Sequence, residues 1–166
     1  PVEQYWRDNR LNMIHEGTHG IQALDLLGRK VVMDGGAGLK LLATSINATI
    51  DRAGQVPGLA EHGATLAAAL QKLGAATKAA WSTGDPQDAL ANATPYLQAF
   101  GHVVLAWVWL DVALAAQQST QSVDFVQGKL QCCRYFHAFE LPKIDAWLNV
   151  VAARNPICRD MQDAWF

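Results

Sequence analysis

Residues 5–30 read YWRDNRLNMIHEGTHGIQALDLLGRK and contain two helical patterns separated by Glu16 and Gly17. Apolar residues recur at roughly helical spacing on both sides of this pair, which is typical of amphipathic helices. Glycine in a helix interior is unfavourable by about 1 kcal/mol relative to alanine, so Gly17 indicates a break. Thr18 follows as a candidate N-cap, because its hydroxyl can accept a hydrogen bond from an otherwise unpaired backbone N–H. The stretch therefore predicts a helix–elbow–helix segment with Glu16 at the elbow.

The carboxylate of Glu16 has two interpretations from the residue pattern alone. A carboxylate at a helix–helix elbow lies close to unpaired backbone N–H groups, and such an elbow can face a cleft and bind a ligand oxygen. A glutamate in a solvent-exposed loop has the same spacing and needs no ligand. The pattern leaves both interpretations open.

A zinc site is a further alternative, because residues His15–His19 match the H-E-x-x-H pattern. In that pattern two histidines one helical turn apart bind zinc, and the glutamate acts as a general base. Gly17 argues against the unbroken helix that this geometry needs. The longer zinc-protease pattern also fails, since Gln22 and Asp25 stand where glycine and histidine belong. A zinc hydrolase therefore stays an alternative, and the main prediction includes no metal ligand.

From residue 36 to residue 154 the chain shows long helical patterns with short breaks. Glycine and proline interrupt the pattern at residues 54–58 and 82–86, and the last break provides Asp85 followed by Pro86, a typical helix start. Pro95 and Pro142 fall inside longer patterns and predict kinks or splits. The prediction is an all-α fold, with the elbow segment followed by an antiparallel four-helix bundle of kinked long helices.

The most apolar run, residues 103–110, predicts a buried central helix. It is too short for a membrane span, and Asp111 follows it. His62, His102 and His137 lie on separate predicted helices, which favours surface or hydrogen-bonded side chains over a metal site. His102 and Asp111 stand among apolar residues, so each is expected to have a polar partner.

Composition excludes several classes of function. A net charge of −2 and a pI near 6.2 imply no basic face for nucleic acid. The three cysteines show no metal-binding spacing, and their odd, sparse count predicts a reducing, cytoplasmic location. No signal peptide pattern is visible at the start of the chain.

The elbow segment resembles the late segment of acyl-CoA dehydrogenases, whose pattern runs Y-R-D-x-x-x-x-x-I-Y-E-G-T-x-x-I-Q. The residues in register are Arg7-Asp8, Ile14, Glu16-Gly17-Thr18 and Ile21-Gln22. His15 stands where the family usually has tyrosine, and this difference is expected to alter the acyl pocket. The residues that follow look like those of the bacterial subgroup with an extra C-terminal helical domain, which includes methylmercaptopropionyl-CoA dehydrogenases.

This resemblance implies a function for the segment. Glu16 corresponds to the catalytic base, Thr18 and Gly20 to flavin contacts, and Gly17 to a substrate contact. The implied activity is FAD-dependent α,β-dehydrogenation of an acyl-CoA thioester. The implied partners are the acyl-CoA, an electron-transfer acceptor, upstream domains of the same chain and further copies in a homodimer or higher homo-oligomer.

The resemblance also divides the chain. Residues 1–35 correspond to the end of the catalytic helical domain, and residues 36–166 to an appended bundle. Such a fragment is expected to be inactive alone and to bind no FAD, because most of both sites lies upstream. A non-catalytic dimerisation module is the remaining alternative. The acyl chain length and the electron acceptor are not specified, because few pocket-lining residues are present.

Overall fold

A computed structural model describes residues 2–14 and 18–166, and these residues form helices and turns without a strand. The all-α prediction is therefore confirmed. His15, Glu16 and Gly17 lie outside the described residues, and with them the predicted elbow. The α-helices are α1 (Val2–Asn9), α2 (Leu11–Ile14), α3 (Thr18–Asp25), α4 (Met33–Gly54), α5 (Ala60–Ala80), α6 (Pro86–Leu90), α7 (Ala93–Gln117), α8 (Val123–Tyr135) and α9 (Ile144–Ala152).

Two π-helical turns and two 3₁₀ turns complete the described elements. The first π turn, Leu26–Lys30, follows α3 directly, and the second π turn, Phe136–Glu140, follows α8. A 3₁₀ turn at Leu141–Lys143 leads from the second π turn into α9, and another lies at Asp163–Trp165. The long pattern predicted around Pro142 is therefore split into α8 and α9 at this proline.

Helix α7 is the centre of the fold. It packs against α3, α4, α5, α8 and α9, and its side chains at Tyr96, Val103 and Leu110 are fully buried. By length and composition alone its 25 residues could cross a membrane. The core helix of a globular domain passes the same test, and the buried face of α7 within the bundle fits that role. The prediction of a buried central helix is confirmed, although the helix is much longer than the apolar run.

The four long helical segments of residues 36–154 pack around one core. Helix α4 contacts α5, α5 contacts α9, and both α4 and α9 contact α7. Fully buried leucine and isoleucine side chains, Ile46, Leu66 and Leu73, fill the space between them. Burial of each such side chain stabilises the fold by about 1.5–3 kcal/mol. The four-helix count and the antiparallel order of the bundle stay predictions.

Glycine and proline mark the start of the regular part of α4 and the breaks before α5 and α6. Asp34, Gly35 and Gly36 all have positive φ angles, so a left-handed turn precedes the regular part of α4. The proposed domain boundary at residues 35 and 36 falls in this turn, and the division itself stays a prediction. The split expected near Pro95 lies instead at Ala91 and Asn92, because proline is tolerated in the first turn of a helix, where its missing N–H has no partner to lose.

The C-terminal tail is tied back to the bundle by polar contacts. Arg154 has a positive φ of 49° and donates hydrogen bonds to the Ala79 carbonyl, at 3.2 Å, and to the Ser82 hydroxyl. A cation near the last carbonyls of a helix is stabilising, so Arg154 caps α5. Asn92 donates to the Asn155 carbonyl at 3.0 Å, which joins the tail to the start of α7.

Tyr96 provides a test of the core. Its hydroxyl lies 2.7 Å from Thr77 Oγ1, and Thr77 donates its own proton to the Leu73 carbonyl, so the tyrosine is the donor. Burial raises the pKa of Tyr96 to about 12, which keeps that proton in place. We expect Tyr96→Phe to lower the free energy of unfolding by about 1 kcal/mol in urea denaturation. Tyr135→Phe, at an exposed tyrosine, is the control, and equal losses in both variants would contradict this assignment.

Candidate functional site

The described part of the elbow segment presents apolar side chains to solvent. No residue of α1 or α2 is buried, and Tyr5, Trp6, Met13 and Ile14 are all more than half exposed. Clusters of exposed apolar side chains of this kind mark contact surfaces for other protein or for ligands. The surface of α1 and α2, which precede Glu16 in the sequence, is therefore suited to contact with other protein or with a ligand.

Helix α3 connects this surface to the bundle. Ala23 is fully buried against the core, whereas Ile21 and Leu24 on the other side are exposed. Thr18, a predicted flavin contact, is partly buried at the first described position of α3. Gly20, the other predicted contact, is exposed, and a Cβ added there would meet nothing within 4 Å. The backbone of this first turn is therefore accessible to a ligand.

A pocket of about 320 Å³ adjoins Gly20. Its walls are Gly20 and Leu24 of α3, the corner between α6 and α7, and Cys158 of the tail. The pocket is open to solvent, and no atom lies within 4 Å of the position of an added Cβ at Gly20. The accessible backbone at Gly20 is compatible with the flavin contact predicted there.

Two side chains of the bundle hold the C-terminal end of α3, and the sequence reasoning missed both. The Trp81 indole Nε1 donates a hydrogen bond of 3.1 Å to the Leu27 carbonyl in the first π turn. Leu90 of α6 lies against Gly28, where an added Cβ would be 3.2 Å from Leu90 Cδ2. The sequence did contain a signal for the Trp81 contact, because this tryptophan lies at the end of a helical pattern. A part-buried indole N–H normally donates a hydrogen bond, so an acceptor could have been expected.

The histidines of the bundle do not form a metal site. Among residues 2–14 and 18–166 no group of three histidine, cysteine or acidic side chains is placed to hold a metal ion. His19 is exposed on α3, and its predicted zinc partners His15 and Glu16 lie outside the described residues. The structure therefore leaves the zinc alternative untested at its central residues.

The polar residues expected to need partners have them. Asp111 forms an ion pair of 2.5 Å with Arg52, and both side chains are more than half exposed. His102 Nδ1 lies 3.0 Å from the Gln98 carbonyl, and its Nε2 is 3.6 Å from Glu140. Lys143 pairs with the same carboxylate at 2.6 Å, and its hydrogen bond is the main reason that the pKa of Glu140 is lowered. The Arg52–Asp111 and His102–Glu140 contacts link different helical segments, and the other two are local.

His137 is the buried titratable group of this region. It lies in the second π turn with 6% of its surface exposed. Its Nε2 is 3.3 Å from the Ala106 carbonyl and its Nδ1 is 3.0 Å from Thr65 Oγ1. The Ala106 carbonyl can only accept a hydrogen bond, and the Thr65 hydroxyl also donates to the His62 carbonyl at 2.9 Å. Burial first, and then the neighbouring His62, lower the pKa of His137 to about 4.

Comparison with known proteins identifies similar sequences. Residues 42–162 match the family described as acetyl-CoA dehydrogenase C-terminal like. The chain is 35% identical over 148 residues to 3-methylmercaptopropionyl-CoA dehydrogenase of Ruegeria pomeroyi, covering 81% of this chain and 24% of that protein. It is 27% identical over 180 residues to the broad-specificity linear acyl-CoA dehydrogenase FadE5 of Mycobacterium tuberculosis, covering 100% of this chain and 30% of that protein. The chain thus spans less than a third of the length of these relatives.

His137 gives a prediction for the pH dependence of stability. Its folded pKa lies below the ordinary value of 6.5, so the unfolded chain binds more protons between about pH 6.5 and pH 4. Stability contributed by the neutral ring is therefore present above pH 6.5 and is lost as the pH falls toward 4, by about 2 kcal/mol at pH ~4.5. We expect His137→Gln to remove most of this loss in urea denaturation at the two ends of that range. His19→Gln, at an exposed histidine, should leave it unchanged, and a loss that persists in His137→Gln would refute the assignment.

Proposed function

The chain belongs to the acetyl-CoA dehydrogenase C-terminal-like family, and on that premise we propose that it is the C-terminal part of an FAD-dependent acyl-CoA dehydrogenase with Glu16 as the base. The observation that carries the proposal is the register of the motif. Glu16, Gly17 and Thr18 follow the E-G-T pattern of acyl-CoA dehydrogenases, upstream of the matched residues 42–162. Both relatives are named as acyl-CoA dehydrogenases, which supports the reaction class.

The proposed role of Glu16 follows from the chemistry of thioesters. The α-proton of an acyl-CoA is weakly acidic, so a positioned carboxylate must remove it while hydrogen bonds stabilise the developing enolate. The bound flavin supplies the acceptor for the β-hydride. Together these transfers remove two hydrogens from the substrate and leave an α,β double bond. Thr18 and Gly20 are proposed to contact the flavin, and Gly17 the thioester.

The exposed apolar surface of α1 and α2 supports a larger assembly. Exposure of Tyr5, Trp6 and Met13 to water does not stabilise the fold, whereas contact with additional protein would bury these side chains. We assign that contact to upstream domains of the same chain. Homo-oligomerisation and an external electron-transfer acceptor are further parts of the proposal. Residues 1–166 alone should neither bind FAD nor oxidise acyl-CoA, because the chain spans less than a third of the length of its relatives. A cytoplasmic location is also proposed, based on the sparse cysteines.

A visible absorption spectrum of the protein expressed from its natural start codon tests this proposal. We expect a flavin spectrum that bleaches under anaerobic conditions with one or more acyl-CoAs. The panel should include linear acyl-CoAs and 3-methylmercaptopropionyl-CoA, because the relatives carry these names. Absence of flavin would contradict the proposal. Stoichiometric zinc in the wild-type protein that is lost in His15→Ala and His19→Ala would favour the zinc hydrolase instead.

Glu16→Gln tests the base directly. The amide cannot accept the α-proton, so the rate of bleaching should fall by ~10²–10⁴-fold while the flavin content stays at the wild-type level. Stopped-flow absorbance with a saturating acyl-CoA measures the rate. His19→Gln is the matched control on the same segment, since its exposed ring has no role in the proposed reaction, and it should bleach at close to the wild-type rate. A Glu16→Gln variant that bleaches as fast as wild type would remove Glu16 from the reaction.

A further inference from the structure

Helix α8 and the second π turn expose a row of large and small residues. The row consists of Phe125, Gly128, Cys132, Tyr135 and Phe139, all of them exposed, with 65% of the Phe139 surface accessible. Residues three or four apart lie on one face of a helix, so the row forms a continuous stripe, which we call the α8 stripe. The rings of Tyr135 and Phe139 stack with their centroids 5.0 Å apart, which keeps Phe139 on this face.

The opposite face of α8 holds the helix on the bundle. Leu130 and Cys133 are buried, and α8 packs against α7 before it continues into the second π turn. The α8 stripe therefore contributes nothing to the core, and its rings are in contact with water. An exposed apolar row of this kind marks a contact surface for another molecule.

The α8 stripe lies far from the point where the elbow segment joins the bundle. Gly20 and Leu24 of α3 share a pocket with residues 93–95 at the start of α7. Helix α8 follows the other end of α7, and beyond α8 the Nε2 atom of His137 lies 3.3 Å from the Ala106 carbonyl. The stripe thus lies beside the second half of α7, and the contact surface of α1 and α2 does not account for it.

The α8 stripe is complementary in size to a second copy of itself. When two α8 helices pack antiparallel about a two-fold axis, one position of that axis places Tyr135 opposite Cys132 of the second copy and Phe139 opposite Gly128 of the second copy. Each large ring then faces a small residue, which is how helix interfaces pack without voids. A Cβ added at Gly128 would meet nothing within 4 Å, so the space for a ring is open.

The charge and the area of the α8 stripe also suit self-association. None of its five residues is charged, so pairing places no like charges opposite each other along the centre. A fully buried aromatic side chain removes 150–250 Å² from water, so three half-exposed rings offer roughly 300 Å² per copy. A specific interface needs about 1,000 Å² in total, and flanking residues must supply the rest. The interface is therefore small, and dilution should dissociate it.

We propose that the α8 stripe is an interface between two copies of this chain, in which two α8 helices pack antiparallel about a two-fold axis close to Cys132. The inference deepens the proposed function, because it names the surface for homo-oligomerisation, and it rests on that part of the proposal alone. It gives the appended bundle a role that requires no contact with flavin or acyl-CoA.

Sedimentation velocity over a dilution series tests the interface with the protein expressed from its natural start codon. In Phe139→Lys we expect the dissociation constant for self-association to rise at least tenfold, because a charge would be buried opposite Gly128. Leu41→Lys is the matched control, since Leu41 is 71% exposed on α4, and its dissociation constant should stay within twofold of wild type.

Gly128→Gln separates association from folding. Glutamine is a better helix former than glycine and meets open space in a single copy, so the Tm of the dilute variant should be no lower than that of wild type. In the pair its side chain would occupy the place of the Phe139 ring, so the dissociation constant should rise at least tenfold. A purely structural role of α8 would not produce this combination.

Cross-linking locates the two-fold axis. A short bis-maleimide, to which each thiol adds without oxidation, should join Cys132 of one copy to Cys132 of the other, as identified by peptide mass spectrometry. Cys158→Ser should keep this product and Cys132→Ser should lose it. Unchanged association in Phe139→Lys, equal losses in Leu41→Lys, or absence of the Cys132 product would overturn the interface. The proposed reaction fails separately, if the wild-type protein shows no bleaching with acyl-CoA.

Discussion

Burial of α7 is the constraint on which the other helices depend. No Asp, Glu, Lys or Arg occurs from Ala93 to Leu110, so the apolar side chains of this stretch favour cover by other helices. Helices α3, α4, α5, α8 and α9 all pack against α7. Because α3 is one of these helices, the same core that stabilises the bundle also anchors the segment that precedes it.

The anchor of α3 is specific as well as apolar. A helix held by apolar contacts alone could rotate or slide with small changes in energy, whereas a hydrogen bond to a carbonyl in a π turn has one geometry. Trp81 supplies that bond, and Gly28 allows the close approach of Leu90 beside it. The left-handed turn at Asp34 to Gly36 then redirects the chain into α4. A π turn and a left-handed turn thus follow each other between α3 and the regular part of α4.

Local sequence patterns predicted most helices, but they could not predict contacts between residues far apart in the chain. Helical periodicity and the breaks at residues 54–58 and 82–86 gave α4, α5 and the start of α6, because these signals act between residues close in sequence. A kink or split was predicted at Pro95, but this proline lies in the first turn of α7. The effect of a proline depends on which turn of the helix it occupies. The partner of Trp81 and the burial of His137 depend on residues far away in the chain. The site residues came from motif resemblance, and Glu16 and Gly17 lie outside the described residues.

The interior of the bundle argues against a second catalytic centre there. Each buried polar side chain in the described residues has a partner inside the bundle, as Thr49 with Trp107 and His137 with Thr65 show. A group whose donors and acceptors are already satisfied must break a hydrogen bond before it can bind a substrate, at a cost of about 1–3 kcal/mol. The described part of the elbow segment differs, because Gly20 and the exposed apolar side chains of α1 and α2 are accessible. This contrast supports the proposal that the catalytic base lies in the elbow segment and not in the bundle.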